Sequence, residues 1–378
     1  MIEHIRIQNF KSIHDVSVDL SPVTVLIGRS GVGKSNFLRA IRFLRNYLRD
    51  ANAAVQIEGG WERIFPFGTR ADVSISVRFA IPGYDAKFHY EVTWKPHPQS
   101  PSHALPGTER LRLGDNTIFG RSAAGWEAWP DARPRPQPQF KIYLSAFPTV
   151  SEAVLAFTAL TSGIGWHDFP ADVFRASTKA ENSQDKGLDD SAGNYLQVLR
   201  DLTQNLQSQH ARRQILARIR QVNPSVASLE IDSILQPKKV VVAHKVNEQL
   251  IPLDLSQESD GFRRYYAHLL ALYQSPPKQL LMFEEPENGI YPGALLNLAE
   301  EFSTAAKNGR GQVLLTTQSP DLLDGFEPEQ LRVVEVDQAQ STKVGPLDQG
   351  QLQAVKDKLL EPGELITVDQ ARQAGAST

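Results

Sequence analysis

The chain contains no cysteine, and this absence removes three classes of site. A disulfide framework, a thiolate zinc site and a cysteine nucleophile all require the thiol that is missing. A cysteine-free chain is compatible with a reducing compartment, so we expect a cytoplasmic protein.

Long apolar runs are missing as well. The opening stretch MIEHIRIQNFK has no apolar core of the kind that a signal peptide needs, and no later run is long enough to cross a bilayer. We therefore expect neither secretion nor insertion into a membrane.

Charge of one sign is not in excess. The 40 Lys and Arg residues face 43 Asp and Glu residues, which gives a net charge of −3. Any contact with nucleic acid must therefore come from local basic patches.

The 378 residues are 41% hydrophobic and 22% charged, as in ordinary globular proteins, and suffice for one large domain or two modest ones.

Buried strands alternate with amphipathic helices at both ends of the chain. Residues 21–28 (SPVTVLIG) form an apolar strand, and residues 36–50 follow with apolar residues at helical spacing. Later, QLLMFE, GALLNLAEEFSTAAKNG and QVLLTTQ have the order strand, helix, strand. This alternation predicts an α/β core with parallel pairing.

The middle of the chain predicts different structure. Residues 71–95 favour antiparallel strands, and the Pro- and Gly-rich residues 96–139 favour long surface loops. We expect a single head over residues 1–378. Its parts are a first lobe of antiparallel strands and Pro-rich loops (1–150), a mainly helical insert (151–225) and a second lobe (226–378).

Residues 28–35 (GRSGVGKS) match the phosphate-loop pattern G-x-x-x-x-G-K-S/T between a buried strand and a helix. Glycines let backbone N–H groups point at phosphate oxygens, and the helix N-terminus adds its positive dipole end. We expect Lys34 to bridge the β- and γ-phosphates and Ser35 to ligate Mg²⁺. A plain glycine turn is the alternative, which the flanking strand and helix disfavour. The predicted nucleotide-binding residues here are Gly28, Arg29, Ser30, Gly31, Val32, Gly33, Lys34, Ser35 and Asn36.

A second apolar strand, residues 279–284, ends in adjacent acids. In P-loop proteins such a strand ends beside the magnesium, so Glu284 is predicted to hold Mg²⁺, through water. Glu285 is predicted to accept a proton from the attacking water as general base. Solvated surface acids are the alternative, which the apolar residues 280–283 argue against. The predicted ligand is Mg·ATP.

The run E-E-P-E-N-G at this strand end resembles the ABC-type ATPase heads of the RecF, SMC and OLD group, and most closely the bacterial AAA-family ATPases within it. Four further stretches resemble that group's opening strand, loop-to-helix run, signature segment and switch strand: IRIQNFKSI, GKSNFLRAI, SDGFRRYYAHLLAL and TTQSPDLLD. The resemblance runs from residue 2 to about residue 324 and lacks a motif between about 96 and 225. It implies a P-loop NTPase fold with a mixed sheet, an N-terminal antiparallel β-subdomain and an inserted, mainly helical lid.

Three positions depart from the group. Glu284 stands where the group has Asp, and Tyr291 replaces the histidine before Pro292. Gln318 replaces the switch histidine; it can hydrogen-bond a γ-phosphate oxygen but cannot carry a proton near neutral pH. The resemblance makes Glu285, Gln318 and Lys34 the catalytic residues, with slow turnover.

The signature segment carries Ser259 and Gly261 at the start of a helix. A serine there can simply cap the helix. In the resembled group this segment faces the nucleotide of the opposite subunit, which adds both residues to the nucleotide site and implies an ATP-dependent homodimer. Both interpretations can hold together.

Two arginine clusters follow helical spacing: Arg39, Arg42, Arg45 and Arg49, and then Arg212, Arg213, Arg218 and Arg220. Such runs are more often solvated faces than nucleic-acid sites. Because relatives act on DNA, contact with a DNA backbone stays open. No nuclease module is recognisable after residue 325, so cleavage of DNA would need a separate effector.

These features favour an ATPase that dimerises on ATP and acts in DNA repair or maintenance, or in anti-phage defence, and that gates an effector such as a nuclease. A slow nucleotide-dependent switch or scaffold is the first alternative. The ATPase subunit of a transporter is the second, which the form of the motifs disfavours.

Overall fold

A computed structural model describes residues 1–66, 68–122, 124–129, 144–175, 187–202, 206–232 and 239–375. Its strands are β1 (Ile2–Phe10), β2 (Ile13–Asp19), β3 (Val23–Ile27), β4 (Val73–Phe79), β5 (Phe88–His97), β6 (Ser100–Leu113), β7 (Asn116–Ser122), β8 (Gly125–Ala128), β9 (Ile164–His167), β10 (Val226–Asp232), β11 (Lys239–Val246), β12 (Gln249–Asp254), β13 (Leu280–Glu284), β14 (Gln312–Thr316), β15 (Leu331–Val336) and β16 (Thr342–Pro346). Its helices are α1 (Lys34–Arg49), α2 (Ala51–Ile57), α3 (Trp61–Ile64), α4 (Ser151–Leu160), α5 (Tyr195–Asp201), α6 (Leu206–Val222), α7 (Asp260–Tyr273), α8 (Leu295–Lys307), α9 (Pro320–Leu323), α10 (Gln349–Lys356) and α11 (Glu364–Thr367).

The chain folds into two compact units. The first consists of residues 1–164, 331–352 and 371–378, and the second of residues 165–330 and 353–370.

The first unit contains a seven-stranded antiparallel sheet in the order β2-β1-β4-β5-β6-β7-β8. In β1 the side chains of Ile5 and Ile7 are buried while Arg6 between them is exposed, as expected for a strand with one face on a core. An aromatic cluster that includes Phe43, Trp61 and Trp94 joins α1 and α3 to β5 of this sheet.

The prediction of loops across residues 96–139 is wrong for residues 100–128. Strands β6, β7 and β8 occupy that stretch, and β6 pairs with β5 along most of its length. The Pro- and Gly-rich sequence is tolerated because the β5–β6 register shifts between Val92 and Trp94, close to where Pro106 pairs with Trp94. Residues 130–139 of the predicted loop lie outside the described residues.

The first unit also contains part of a mixed sheet. Strand β3 pairs parallel with β15, and β15 pairs antiparallel with β16. Every residue of β3 is buried. Helix α1 follows after a short loop and buries the predicted face of Phe37, Ile41, Leu44 and Leu48, so the strand–loop–helix prediction is confirmed.

In the second unit, β13 and β14 pair parallel in the order β14-β13-β9, and β14 is fully buried. A separate antiparallel sheet has the order β10-β11-β12. Helix α4 belongs to the first unit, and α5 and α6 belong to the second. Within the described part of residues 151–225 these three helices make up most of the regular structure, and β9 is the exception. Among the described residues, none of the helices has the length and apolarity that a bilayer crossing would require.

Candidate nucleotide-binding site

The predicted phosphate loop joins β3 to α1 in the first unit. Gly28 and Gly33 have φ angles of 151° and 102°, a backbone region that side chains disfavour. A Cβ atom at Gly28 would collide with the carbonyl oxygen of Val334, and one at Gly33 would collide with the hydroxyl of Thr342. Both glycines are therefore required by backbone conformation and by close packing.

Hydroxyl and amide side chains hold the loop in place through a short chain of hydrogen bonds. The Thr342 hydroxyl donates to the carbonyl of Val32 at 2.9 Å and lies 2.7 Å from the Ser12 hydroxyl, which accepts a bond from Asn36 Nδ2 at 2.8 Å. The structure thus places Asn36 in the support of the loop. Ser12 and Thr342 were missed by sequence analysis; Ser12 lies in the IRIQNFKSI stretch, whereas nothing in the sequence marks Thr342.

Lys34 is 5% exposed, and its ammonium donates to the carbonyls of Gly28 and Arg29 at 2.8 and 2.9 Å. The first turn of α1 carries no acidic residue, so nothing there opposes an anion at the positive end of the helix dipole. A loop with closely packed glycines, a buried cation and a helix N-terminus together fit the phosphates of a nucleotide. Ser35 is half-buried, and Arg29 and Ser30 are exposed.

The acidic segment lies in the second unit, at the ends of paired strands. Glu284 is the last residue of β13 and stands in register with Thr316, the last residue of β14. Glu285 follows with a φ of 44°, and its N–H donates to the carbonyl and hydroxyl oxygens of Thr316 at 3.1 and 3.2 Å. A left-handed glutamate is strained, and strain of this kind clusters at functional sites.

The Glu285 carboxylate is held from both sides. Gln318 Nε2 donates to Oε1, and Asn288 Nδ2 donates to Oε2 at 3.3 Å. The structure therefore brings together the predicted base and the residue that replaces the switch histidine. Glu284 is half-buried, and its carboxylate makes no hydrogen bond or ion pair with any described residue.

The signature segment begins α7 in the same unit. The exposed Ser259 caps the helix by accepting a hydrogen bond from the N–H of Phe262 at 3.2 Å, as predicted. A Cβ atom at Gly261 would lie 2.7 Å from the carbonyl oxygen of Gly289, and the Arg264 guanidinium donates to the carbonyl of Asn288. The signature helix therefore packs on the loop that follows Glu285.

Sequence analysis also missed Arg263, which is fully buried behind the signature segment. Its guanidinium donates to the carbonyls of Val173 and Ala171 at 2.9 and 2.7 Å and to the Asp260 carboxylate at 2.6 Å. A buried arginine needs this many acceptors, so Arg263 fixes the start of α7. In the sequence it looks like half of an exposed Arg-Arg pair.

The arginine clusters do not form continuous exposed faces. In the first cluster Arg45 is buried and donates to Asn46 Oδ1 at 3.0 Å, while Arg39 and Arg49 are exposed and Arg42 is half-buried. In the second, three arginines bind partners inside their own unit: Arg212 to the Leu229 carbonyl, Arg218 to Glu301 and Arg220 to the Val226 carbonyl. Arg213 is exposed.

The donor chemistry of the predicted metal ligands suits Mg²⁺. Magnesium is bound by one or two protein oxygens together with phosphates and water, and Ser35 and Glu284 offer a hydroxyl and a carboxylate. Among the described residues there is no cluster of three or more His, Cys, Asp or Glu side chains that could hold a metal.

Two segments match models of ATPase families. Residues 1–109 match the model described as "AAA ATPase domain", and residues 149–324 match "AAA domain, putative AbiEii toxin, Type IV TA system". A search of curated proteins finds no significant match.

Solved structures of SMC heads share the fold. One is an SMC head bound to the C-winged helix domain of ScpA, with 12% identity, coverage of 93% of this chain and 99% of that chain, and a TM-score of 0.60. Another is the Smc head with an extended coiled coil, bound to the C-terminal domain of ScpA derived from Pyrococcus furiosus, with 11% identity, coverage of 95% and 99%, and a TM-score of 0.58. The predicted resemblance to ABC/SMC-like ATPase heads and the predicted α/β P-loop fold are confirmed.

Proposed function

We propose that this chain, an AAA-type ATPase head with the fold of an SMC head, binds Mg·ATP and hydrolyses it slowly. One observation carries the proposal: the loop between β3 and α1 combines two glycines that cannot carry a Cβ, a buried Lys34 and the unopposed N-terminus of a helix. A loop with these features is suited to bind the phosphates of a nucleoside triphosphate.

Each residue of the loop has a separate task in this proposal. Backbone N–H groups from Gly28 to Ser35 bind phosphate oxygens, and the Lys34 ammonium exchanges its two loop carbonyls for the β- and γ-phosphates. Ser35 and Glu284 are the proposed protein ligands of Mg²⁺, as the resemblance implies. The metal would neutralise charge that develops on the phosphate oxygens.

Glu285 is the proposed general base. A carboxylate that is held on both oxygens by neutral amides keeps a fixed direction, and it can accept a proton from a water molecule that it orients. Gln318 contributes an amide that orients this base and cannot take the proton onward. Turnover is therefore slow.

We further propose that ATP drives a head-to-head homodimer, with Ser259 and Gly261 facing the nucleotide of the other copy. The exposed hydroxyl of Ser259 at the N-terminus of α7 supports this role, because such an end receives anions. The proposed dimer acts either in DNA repair or maintenance or in anti-phage defence. It acts there by contacting DNA or by controlling a separate effector such as a nuclease.

A nucleotide-dependent switch with little hydrolysis is the second candidate. The hydrogen bond from Gln318 to Glu285 favours it, since it occupies the base with an amide that carries no proton. Phosphate release by the wild type, Gln318→His and Glu285→Gln separates the two candidates. Wild-type release that clearly exceeds that of Glu285→Gln supports the slow ATPase, whereas release that rises above the Glu285→Gln level only in Gln318→His supports the switch.

Calorimetry tests the proposal directly. Titration of the wild-type chain with Mg·ATP should give binding heat that is lost in Lys34→Ala and kept in Lys307→Ala, an exposed lysine used as the matched control. Phosphate release should fall in Glu285→Gln, whereas the heat of Mg·ATP binding to this variant should remain. Binding heat that does not depend on Lys34 would overturn the proposed site.

A further inference from the structure

A half-buried glutamate next to the candidate base, with one buried carboxylate oxygen, has no task in the mechanism above. Glu287 lies two residues after Glu285 in the loop that follows β13, and Pro286 between them is buried. Burial raises the pKa of the Glu287 carboxyl, and hydrogen bonds from the Gln318 backbone and Thr317 oppose that rise. Placing a carboxyl group there costs free energy unless its contacts repay it.

The carboxylate of Glu287 accepts hydrogen bonds from two residues of the segment after β14. Its Oε1 accepts hydrogen bonds from the Thr317 hydroxyl and from the Gln318 N–H, both at 2.8 Å. Thr317 is fully buried, and its hydroxyl also accepts the N–H of Ser319 at 3.0 Å. The second oxygen, Oε2, is buried and has no hydrogen-bond partner. One oxygen atom thus ties the two loops together.

This tie continues to the candidate base. Glu287 holds the backbone of Gln318, and the side chain of Gln318 donates to Glu285. Without the carboxylate, the Gln318 N–H and the Thr317 hydroxyl would lose their acceptor, and the Gln318 side chain would lose its anchor. That anchor supports one of the two amide contacts that hold the Glu285 carboxylate, the other being made by Asn288.

We propose that Glu287 is a positioning residue, which acts through Gln318 to fix the Glu285 carboxylate and does not itself contact the nucleotide. The inference rests on the proposed ATPase function for its effect on rate, but its structural part concerns the Gln318 side chain alone. Shape and acceptor geometry, and not negative charge, are what the position requires, because only one oxygen is used.

Two substitutions separate geometry from charge. Glu287→Gln keeps an oxygen acceptor and puts an amide where Oε2 has no partner, so kcat should stay within about three-fold of the wild type. Glu287→Ala removes the acceptor, and kcat should fall by about ten-fold or more while KM for ATP changes by less than about two-fold. Glu327→Ala, an exposed glutamate in the same unit, is the matched control.

A double variant tests whether Glu287 acts on the Glu285 carboxylate through Gln318. If Glu287 acts through Gln318, then Glu287→Ala added to Gln318→Ala should lower kcat no further than Gln318→Ala alone. Effects that multiply, or a Glu287→Gln variant that falls as far as Glu287→Ala, would overturn the inference.

The side-chain amide resonance of Gln318 in ¹⁵N-labelled protein gives a readout without nucleotide. Its assignment comes from its absence in Gln318→Ala. The resonance should shift or broaden in Glu287→Ala and remain in place in Glu287→Gln. If the wild type releases no phosphate, the proposed hydrolysis fails and this resonance still decides the role of Glu287. An unchanged resonance in Glu287→Ala refutes it.

Discussion

Gln318 Nε2 donates a hydrogen bond to Oε1 of Glu285, so the second residue after strand β14 restrains the acid that directly follows strand β13. The two strands are parallel neighbours, and parallel strands bring their carboxyl ends to one edge of a sheet. The Gln318 amide orients the Glu285 carboxylate but cannot take a proton from it. We therefore expect this contact to affect the rate of ATP hydrolysis.

The first prediction concerns Glu285. Glu285→Gln removes the proposed base and keeps the side-chain volume, so phosphate release should fall by about 100-fold or more, while Mg·ATP binding stays close to that of the wild type. A phosphate-release assay beside calorimetry measures both. Unchanged release would mean that another group accepts the proton.

The second prediction compares two glycines of the phosphate loop. A Cβ at Gly31 meets no atom within 4 Å, whereas one at Gly33 collides with the Thr342 and Ser12 hydroxyls. Gly31→Ala should cost about 1–2 kcal/mol through its left-handed backbone alone, and Gly33→Ala should cost more and abolish nucleotide binding. Denaturant unfolding and calorimetry check the pair. Equal losses in both variants would contradict the close packing at Gly33.

The third prediction separates the two roles of Ser259. Ser259→Ala should lose the helix cap, worth about 1 kcal/mol, and should also lose ATP-dependent dimerisation. Ser259→Asp keeps a good cap but places a negative charge toward the phosphates, so stability should be retained and dimerisation lost. Light scattering in the Glu285→Gln background, with saturating Mg·ATP, reports the dimer. A Ser259→Asp variant that dimerises normally would leave the serine as a cap only.

The fourth prediction is a pH dependence from His268. Its ring is buried beside Phe169 and Phe283, and burial lowers its pKa from 6.5 to about 4. The folded state therefore keeps His268 neutral, while the unfolded state takes up a proton below about pH 6.5. Its stabilising contribution is complete above that pH and is lost as the pH falls toward 4, by up to about 3 kcal/mol.

Unfolding free energy measured between pH 7 and pH 4 tests this dependence. His268→Asn should flatten the decline, and the exposed His14→Gln should leave it unchanged. A decline that is equally steep in His268→Asn would assign the pH dependence to other groups.

Much of the fold could be predicted because the signals are local. The apolar run of β3, the loop of residues 28–35 and the helical spacing of α1 are adjacent in sequence, and each element follows from its own residues. The same holds for β13, α7, α8 and β14. The strand β6 could not be predicted in this way, since its Pro and Gly residues signal turns and only pairing with β5 makes them a strand.

The same distinction between local patterns and contacts between distant segments applies to the residues of the candidate site. Local patterns indicated Lys34 and Glu285, because a phosphate loop and an acid pair at a strand end each place a residue type at a fixed offset. A local pattern also indicated Ser259 as a helix cap, and the resemblance to the ATPase heads added it to the predicted nucleotide site. Which polar residues support them required the tertiary structure. Thr342 reaches the phosphate loop from 310 residues beyond Val32.

The sequence by itself determined a loop with the phosphate-binding pattern between a strand and a helix, an acid pair at the end of a buried strand and a serine at the start of α7, because each pattern lies within a few consecutive residues. Only the tertiary structure decided that Arg45 and Arg263 are buried, that Gln318 holds Glu285 and that Glu287 holds Gln318. Those facts depend on contacts between distant segments, and the free energy of such contacts is set by packing and burial that no local pattern specifies.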